Sequence, residues 1–161
     1  MNIMYLCMGK MLDVYFDADK HISKINSNNK PIFYVSDRKH FSKFTKKHVS
    51  FKNDYPLLTE WDLTENLDSH YNQNELATIE AKYFKNSSIW EPLIADRRVF
   101  MGKFCKYTQD YAPNYTNTEM MSLLINSVKL IENFFDLHKP QIIIGFTIAT
   151  FGEYLIALIA K

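Results

Sequence analysis

Thr147, Thr150 and Glu153 lie close together in QIIIGFTIATFGEYLIALIAK, residues 141–161, where an apolar run turns through small residues into a helical pattern. Two chemistries fit them. Thr150, Phe151, Gly152 and Glu153 match a capping box, in which the threonine hydroxyl accepts from the amide at 153 and the glutamate reaches back to the amide at 150. Alternatively, Glu153 bonds a sugar hydroxyl or acts as a general base in a pocket lined by Thr147. A carboxylate already at a helix start repels a second anion, so a phosphate is disfavoured there. Lys10, directly after Met8 and Gly9, is either a lone phosphate contact or a solvated cation.

The familiar motifs are missing. Met8–Gly9–Lys10 supplies one glycine where a dinucleotide turn needs three, and no P-loop, GxSxG or HExxH occurs. His21, His40, His48, His70 and His138 are scattered without ligand spacing, and Cys7 and Cys105 form no CxxC, so neither a metal nor a cofactor is expected. Both cysteines read as free thiols in a reducing cytoplasm. The start, MNIMYLCMGKML, has no cationic lead and is too short in its apolar run for a signal sequence or a membrane span.

The elements that must position these residues alternate. NIMYLCM, 2–8, is a short apolar run ended by Gly9 and reads as a strand covered on both faces. Leu12, Tyr15, Phe16, Ile22 and Ile25 follow at helical spacing, and PIFYV, 31–35, reads as a second strand. Ser36 or Asp37 caps a helix with Phe41 and Phe44 on one side and Lys39, Lys43, Lys46 and Lys47 on the others. VSF, 49–51, reads as a short third strand, and 55–71 as irregular.

A helix is expected from Gln73 to about Lys85, and another near Trp90 behind the box Ser88–Glu91. The Tyr-rich stretch 102–117 reads as a long loop, a common seat of binding. Thr116 and Glu119 open a helix over 120–137 whose wide apolar face predicts burial, and Pro140 stops it before QIIIG, which reads as a central parallel strand. The pattern predicts an α/β, Rossmann-like layered fold, with a mainly parallel central sheet flanked by helices, in one domain over 1–161.

A chain of 161 residues with 47% hydrophobic and 15% aromatic residues can bury a core unaided. Its formal charge of +1 is unevenly spread. From 20 to 52 nine Lys or Arg face one acid, a net +8, and from 53 to 81 seven acids face no Lys or Arg, a net −7. These are either solvated faces that offset one another or a basic patch for phosphate-bearing ligands or an anionic membrane surface. A pI near 7.7 argues against nucleic acid.

IWEPLIADRRVF, 89–100, then the Tyr-rich loop, the long helix and KPQIIIG leading through a small-residue turn to a helix, resembles bacterial surface (capsular) polysaccharide biosynthesis proteins of the glycosyltransferase-like GT-B type. The resemblance covers 89–160 and implies the amino-terminal half of a two-domain protein. That half receives the sugar acceptor, and a carboxyl-terminal domain holds the nucleotide sugar, so this half is inactive alone. The resemblance makes Asp96 and Glu153 candidate bases, and Lys10, Arg97 and Arg98 candidate phosphate contacts, with surface ion pairs as the other reading of the arginines. It also places the protein in the cytoplasm, with docking of the basic helix on the inner membrane face as a further expectation. The apolar helix at 151–160 fits a piece of a longer protein. The competing reading is a non-enzymatic α/β interaction module that uses this helix, exposed, as a homodimer or partner interface.

Overall fold

The computed structural model describes residues 1–25, 27–65, 67–68, 70–100 and 115–161. The Tyr-rich loop expected at 102–117 and Cys105 fall almost wholly outside them. In chain order the elements are β1 (Asn2–Cys7), α1 (Met11–Ile25), β2 (Lys30–Val35), α2 (Arg38–Lys47), α3 (Phe51–Asp54), β3 (Leu57–Thr59) and α4 (Glu60–Thr64). They continue with α5 (Gln73–Tyr83), α6 (Trp90–Ala95), α7 (Arg97–Phe100), α8 (Asn117–His138), β4 (Ile142–Gly145) and α9 (Phe151–Ile159). The strands form one all-parallel sheet in the order β3-β2-β1-β4, flanked by helices in a Rossmann-like α/β fold.

By internal packing the chain divides into two compact units, one of Met1–Asp62 with Asn133–Thr147, the other of Leu63–Glu132 with Ile148–Lys161. The first unit holds the sheet. Strand side chains alternate between faces, so Ile3, Tyr5 and Cys7 of β1 and Phe33 and Val35 of β2 share one side. They meet Leu12 and Phe16 of α1, Phe41 and Phe44 of α2 and Phe51 of α3 in one buried cluster. Phe33 is fully buried, with the rings of Tyr5, Phe51 and Tyr55 at 5.5, 4.9 and 5.4 Å. The opposite side chains, Met4, Leu6, Ile32, Tyr34 and Leu58, are buried as well, which explains why β1 and β2 read as unbroken apolar runs.

Inside this core Asp19 of α1 accepts from Tyr5 Oη at 3.3 Å, Asn29 Nδ2 at 2.5 Å and Ser23 Oγ at 3.4 Å. Burial pushes its carboxyl above the ordinary range, against the pull of those donors. Burial, then the Asp19 charge, push the Tyr5 hydroxyl up to about 12.

Three elements differ from the sequence reading. The third strand is Leu57–Thr59, not 49–51: Phe51 instead starts α3 and enters the aromatic cluster, and the Pro56 carbonyl accepts from Phe33 at 2.9 Å to begin the β2–β3 ladder. The stretch 55–71, expected to be irregular, thereby holds β3 and α4. QIIIG is an edge strand beside β1, with Ile142 41% exposed. An apolar run reports affinity for a sheet, not a place in its middle, and here only Ile144 packs against the cluster. Gly145 makes a close approach at this edge, since a Cβ there would stand 3.2 Å from Leu6 Cδ1 and 3.3 Å from Leu6 Cβ and would need the leucine side chain to shift by a few tenths of an ångström.

In the second unit the first half of α8 is buried along Met120, Met121, Leu123, Leu124, Ile125 and Val128, as its wide apolar face predicts. The terminal helix α9 is not an exposed apolar surface. Phe151, Leu155 and Ile156 are fully buried, and Tyr154 Oη donates to Glu91 of α6 at 2.5 Å. An interface that uses α9 cannot draw on Phe151, Leu155 and Ile156, which are already buried.

Candidate functional site

The residues singled out from sequence separate between the two units. Asp96, Arg97, Arg98, Thr150 and Glu153 belong to the second, Lys10 and Thr147 to the first.

At the start of α9 the capping box is complete. Thr150 Oγ1 accepts from the Glu153 amide at 3.3 Å, and Glu153 Oε2 accepts from the amides of Ala149 and Thr150 at 2.9 and 3.2 Å. Glu153 is 1% exposed. Asp96 is drawn to the same place. It accepts the Phe151 amide at 3.2 Å, the Arg98 amide at 2.9 Å, and Arg98 Nε and Nη2 at 3.0 and 2.7 Å. Those four donors fill the acceptor sites of a carboxylate. Burial acts to raise the Asp96 carboxyl, but the bonds and charge of Arg98, with the two amides, outweigh it and hold it below the usual range.

Both carboxylates thus take structural hydrogen bonds at the start of α9: Asp96 accepts from Arg98 and the Phe151 amide, and Glu153 Oε2 closes the capping box. Arg98 pairs with Asp96, and both Arg97 and Arg98 are exposed on α7.

Two outcomes test this assignment. Thr150→Ala is expected to cost about 1 kcal/mol, read as a lowered thermal midpoint. The second concerns pH. A folded-state carboxyl held low contributes its stability above about pH 4 and loses it as pH falls toward the folded value. Asp96→Asn should therefore lower stability at pH 7 and flatten its decline between pH 5 and pH 3 in denaturant titrations; an unchanged acid slope would refute the assignment.

The first unit presents a different arrangement at the carboxyl ends of its strands. The chain runs β1, β2, β3 in one direction and then returns β4 to the other side of β1, so the topological switch point lies between β1 and β4. Ligand crevices of open parallel sheets lie beyond such points. Lys10, after β1, and Thr147, after β4, both follow strands that meet there, and both are exposed. Gly9 makes the turn out of β1 with φ +55°, a left-handed conformation that a side chain resists.

Beside it sits a pair that sequence reading passed over. Asp13 stands in the first turn of α1 and His40 in the first turn of α2, with Asp13 Oδ2 and His40 Nε2 2.5 Å apart. Asp37 caps α2 by accepting the His40 amide at 2.9 Å, and this fixes the backbone that carries the ring. Both side chains are partly open to solvent, 43% for Asp13 and 23% for His40. An ionised carboxylate only accepts, so the shared hydrogen belongs to Nε2. In the neutral ring Nδ1 is then the basic nitrogen, and no described residue bonds it. Position was the signal available: each residue lies in the helical turn directly after a strand of a parallel sheet.

Among the described residues no cluster of His, Cys, Asp or Glu could hold a metal ion, and no helix is long and apolar enough to cross a membrane. Comparison with protein-family models, with curated proteins and with solved structures returns no significant match.

Proposed function

We propose that this chain is the acceptor-side, Rossmann-like part of a nucleotide-sugar-dependent glycosyltransferase of GT-B type, acting in the cytoplasm on bacterial surface polysaccharide. The observation that carries the reading is the Asp13–His40 pair at the carboxyl edge of the parallel sheet, where a hydroxyl-bearing acceptor would lie. The resemblance over 89–160 supplies the substrate class. In this mechanism Asp13 orients the ring, and His40 Nδ1 takes the proton of the acceptor hydroxyl as its oxygen bonds the anomeric carbon. The sugar–phosphate bond breaks, and the nucleoside diphosphate leaves with the electron pair. Lys10 and Thr147 flank the acceptor, and the donor is held by a further domain.

The reading is tested by assaying the protein of the complete reading frame against a panel of nucleotide sugars with oligosaccharide acceptors, and by titrating this chain with the same compounds in ¹H–¹⁵N spectra. Transfer by the complete protein, with acceptor-induced shifts at Gly9, Lys10 and His40, is the expected result. Absence of both turnover and acceptor binding would overturn it.

A further inference from the structure

The basic stretch singled out in the sequence takes a defined shape in the structure, and the proposed chemistry does not use it. Helix α2 buries Phe41 and Phe44 against the sheet. At about 100° per residue, Lys39, Lys43, Lys46 and Lys47 then fall within an arc of roughly 100° on the opposite side. All four are exposed. None has a carboxylate partner among the described residues.

The surroundings keep the face cationic. From 38 to 53 there are six Lys or Arg and no acid. The two nearest acids in sequence are engaged, Asp37 in capping α2 and Asp54 in accepting from Ser50 Oγ at 2.5 Å. Lys52, over the Phe41 ring at 5.3 Å, adds a further exposed cation, and Val49, just after the helix, is 81% exposed.

We infer that this face of α2 docks the protein on an anionic lipid bilayer, with the four lysines at the headgroup phosphates and Val49 at the interface. An aligned row of unpaired ammonium groups matches a sheet of lipid phosphates by charge, and one exposed aliphatic side chain adds apolar contact without spanning. A duplex nucleic acid is the less suitable partner. Sequence-specific readout of a duplex uses base-edge hydrogen bonds and bidentate guanidinium contacts, and this arc carries only lysines, which act as point charges. The inference does not depend on the transferase reading, and its test is separate from any activity.

The full chain is sedimented with vesicles of phosphatidylcholine alone and of phosphatidylcholine with 40% phosphatidylglycerol, at low and high salt. Binding is expected to the anionic vesicles only and to be lost at high salt. Each lysine near such a surface contributes about fivefold in partitioning, so Lys39→Gln, Lys43→Gln, Lys46→Gln and Lys47→Gln together should weaken it by nearly three orders of magnitude, about 600-fold. A variant that removes four charges elsewhere, Lys24→Gln, Lys30→Gln, Lys85→Gln and Lys161→Gln, should stay within about tenfold of the original, and a thermal scan of each variant confirms folding. Equal binding to neutral vesicles, unchanged binding by the α2 variant, equal loss in both variants, or tighter binding to a short DNA duplex than to the vesicles would each overturn the inference.

Discussion

His40→Ala is expected to slow sugar transfer by the complete protein by about two to four orders of magnitude, the range over which a positioned general base contributes. The fold should survive, because the side chain is partly exposed and its one polar contact is a hydrogen bond to the Asp13 carboxylate near the surface, a kind of interaction that contributes about 1 kcal/mol. Asp13→Asn separates orientation from charge. The amide keeps the ring's neighbour in place but can also donate to Nε2, which favours the wrong tautomer, so a smaller but clear fall in kcat with KM nearly constant is expected. His40→Gln should be no better than alanine. Transfer rates within twofold of the original in His40→Ala would end the role given to this residue and return the choice of base to the rest of the carboxyl edge.

Phe33→Ala should produce the largest loss of stability. The ring is fully buried at the centre of β2 and touches the aromatic side chains that hold α1 and α3 to the sheet. Removing it forfeits the transfer of a benzyl group and leaves a cavity that neighbouring rigid rings close poorly. Together these cost about 3–5 kcal/mol. For a chain of this length that corresponds to a fall in thermal midpoint of about 10 °C. Phe33→Leu should recover part of the loss by refilling volume without the ring contacts. A drop of only a degree or two in Phe33→Ala would mean that the cluster relaxes into the space, and that its packing is not what fixes the sheet.

The fold was legible where one local rule sufficed. The apolar runs of β1 and β2, the cap at Asp37 and the boxes at Thr116–Glu119 and Thr150–Glu153 each depend on residues a few positions apart, and all are present. What failed depends on distant partners. Leu57–Thr59 is too short to show a period, and it becomes a strand only because β2 offers an open edge. QIIIG carries the composition of a central strand, yet its position is decided by the sheet order.

The candidate site was only partly legible for the same reason. Glu153 and Asp96 stand 57 positions apart, and sequence gives no sign that both converge on the first amides of one helix. Asp13 and His40 are 27 positions apart, so a search for ligand spacing along the chain passes over a pair that two helix starts bring to 2.5 Å. Lys10 and Thr147 were placed correctly after strands, while their shared location at the switch point required the order of those strands.

Gly145 ends β4 across from Leu6, with no room for a methyl group between them unless the leucine yields by a few tenths of an ångström. Side-chain bulk added there would press on the Leu6 side chain at the tips of β1 and β4. Enlarging that residue one methylene at a time would act as a wedge at the mouth of the crevice, and would give a graded means of tuning what enters there while leaving every polar group untouched.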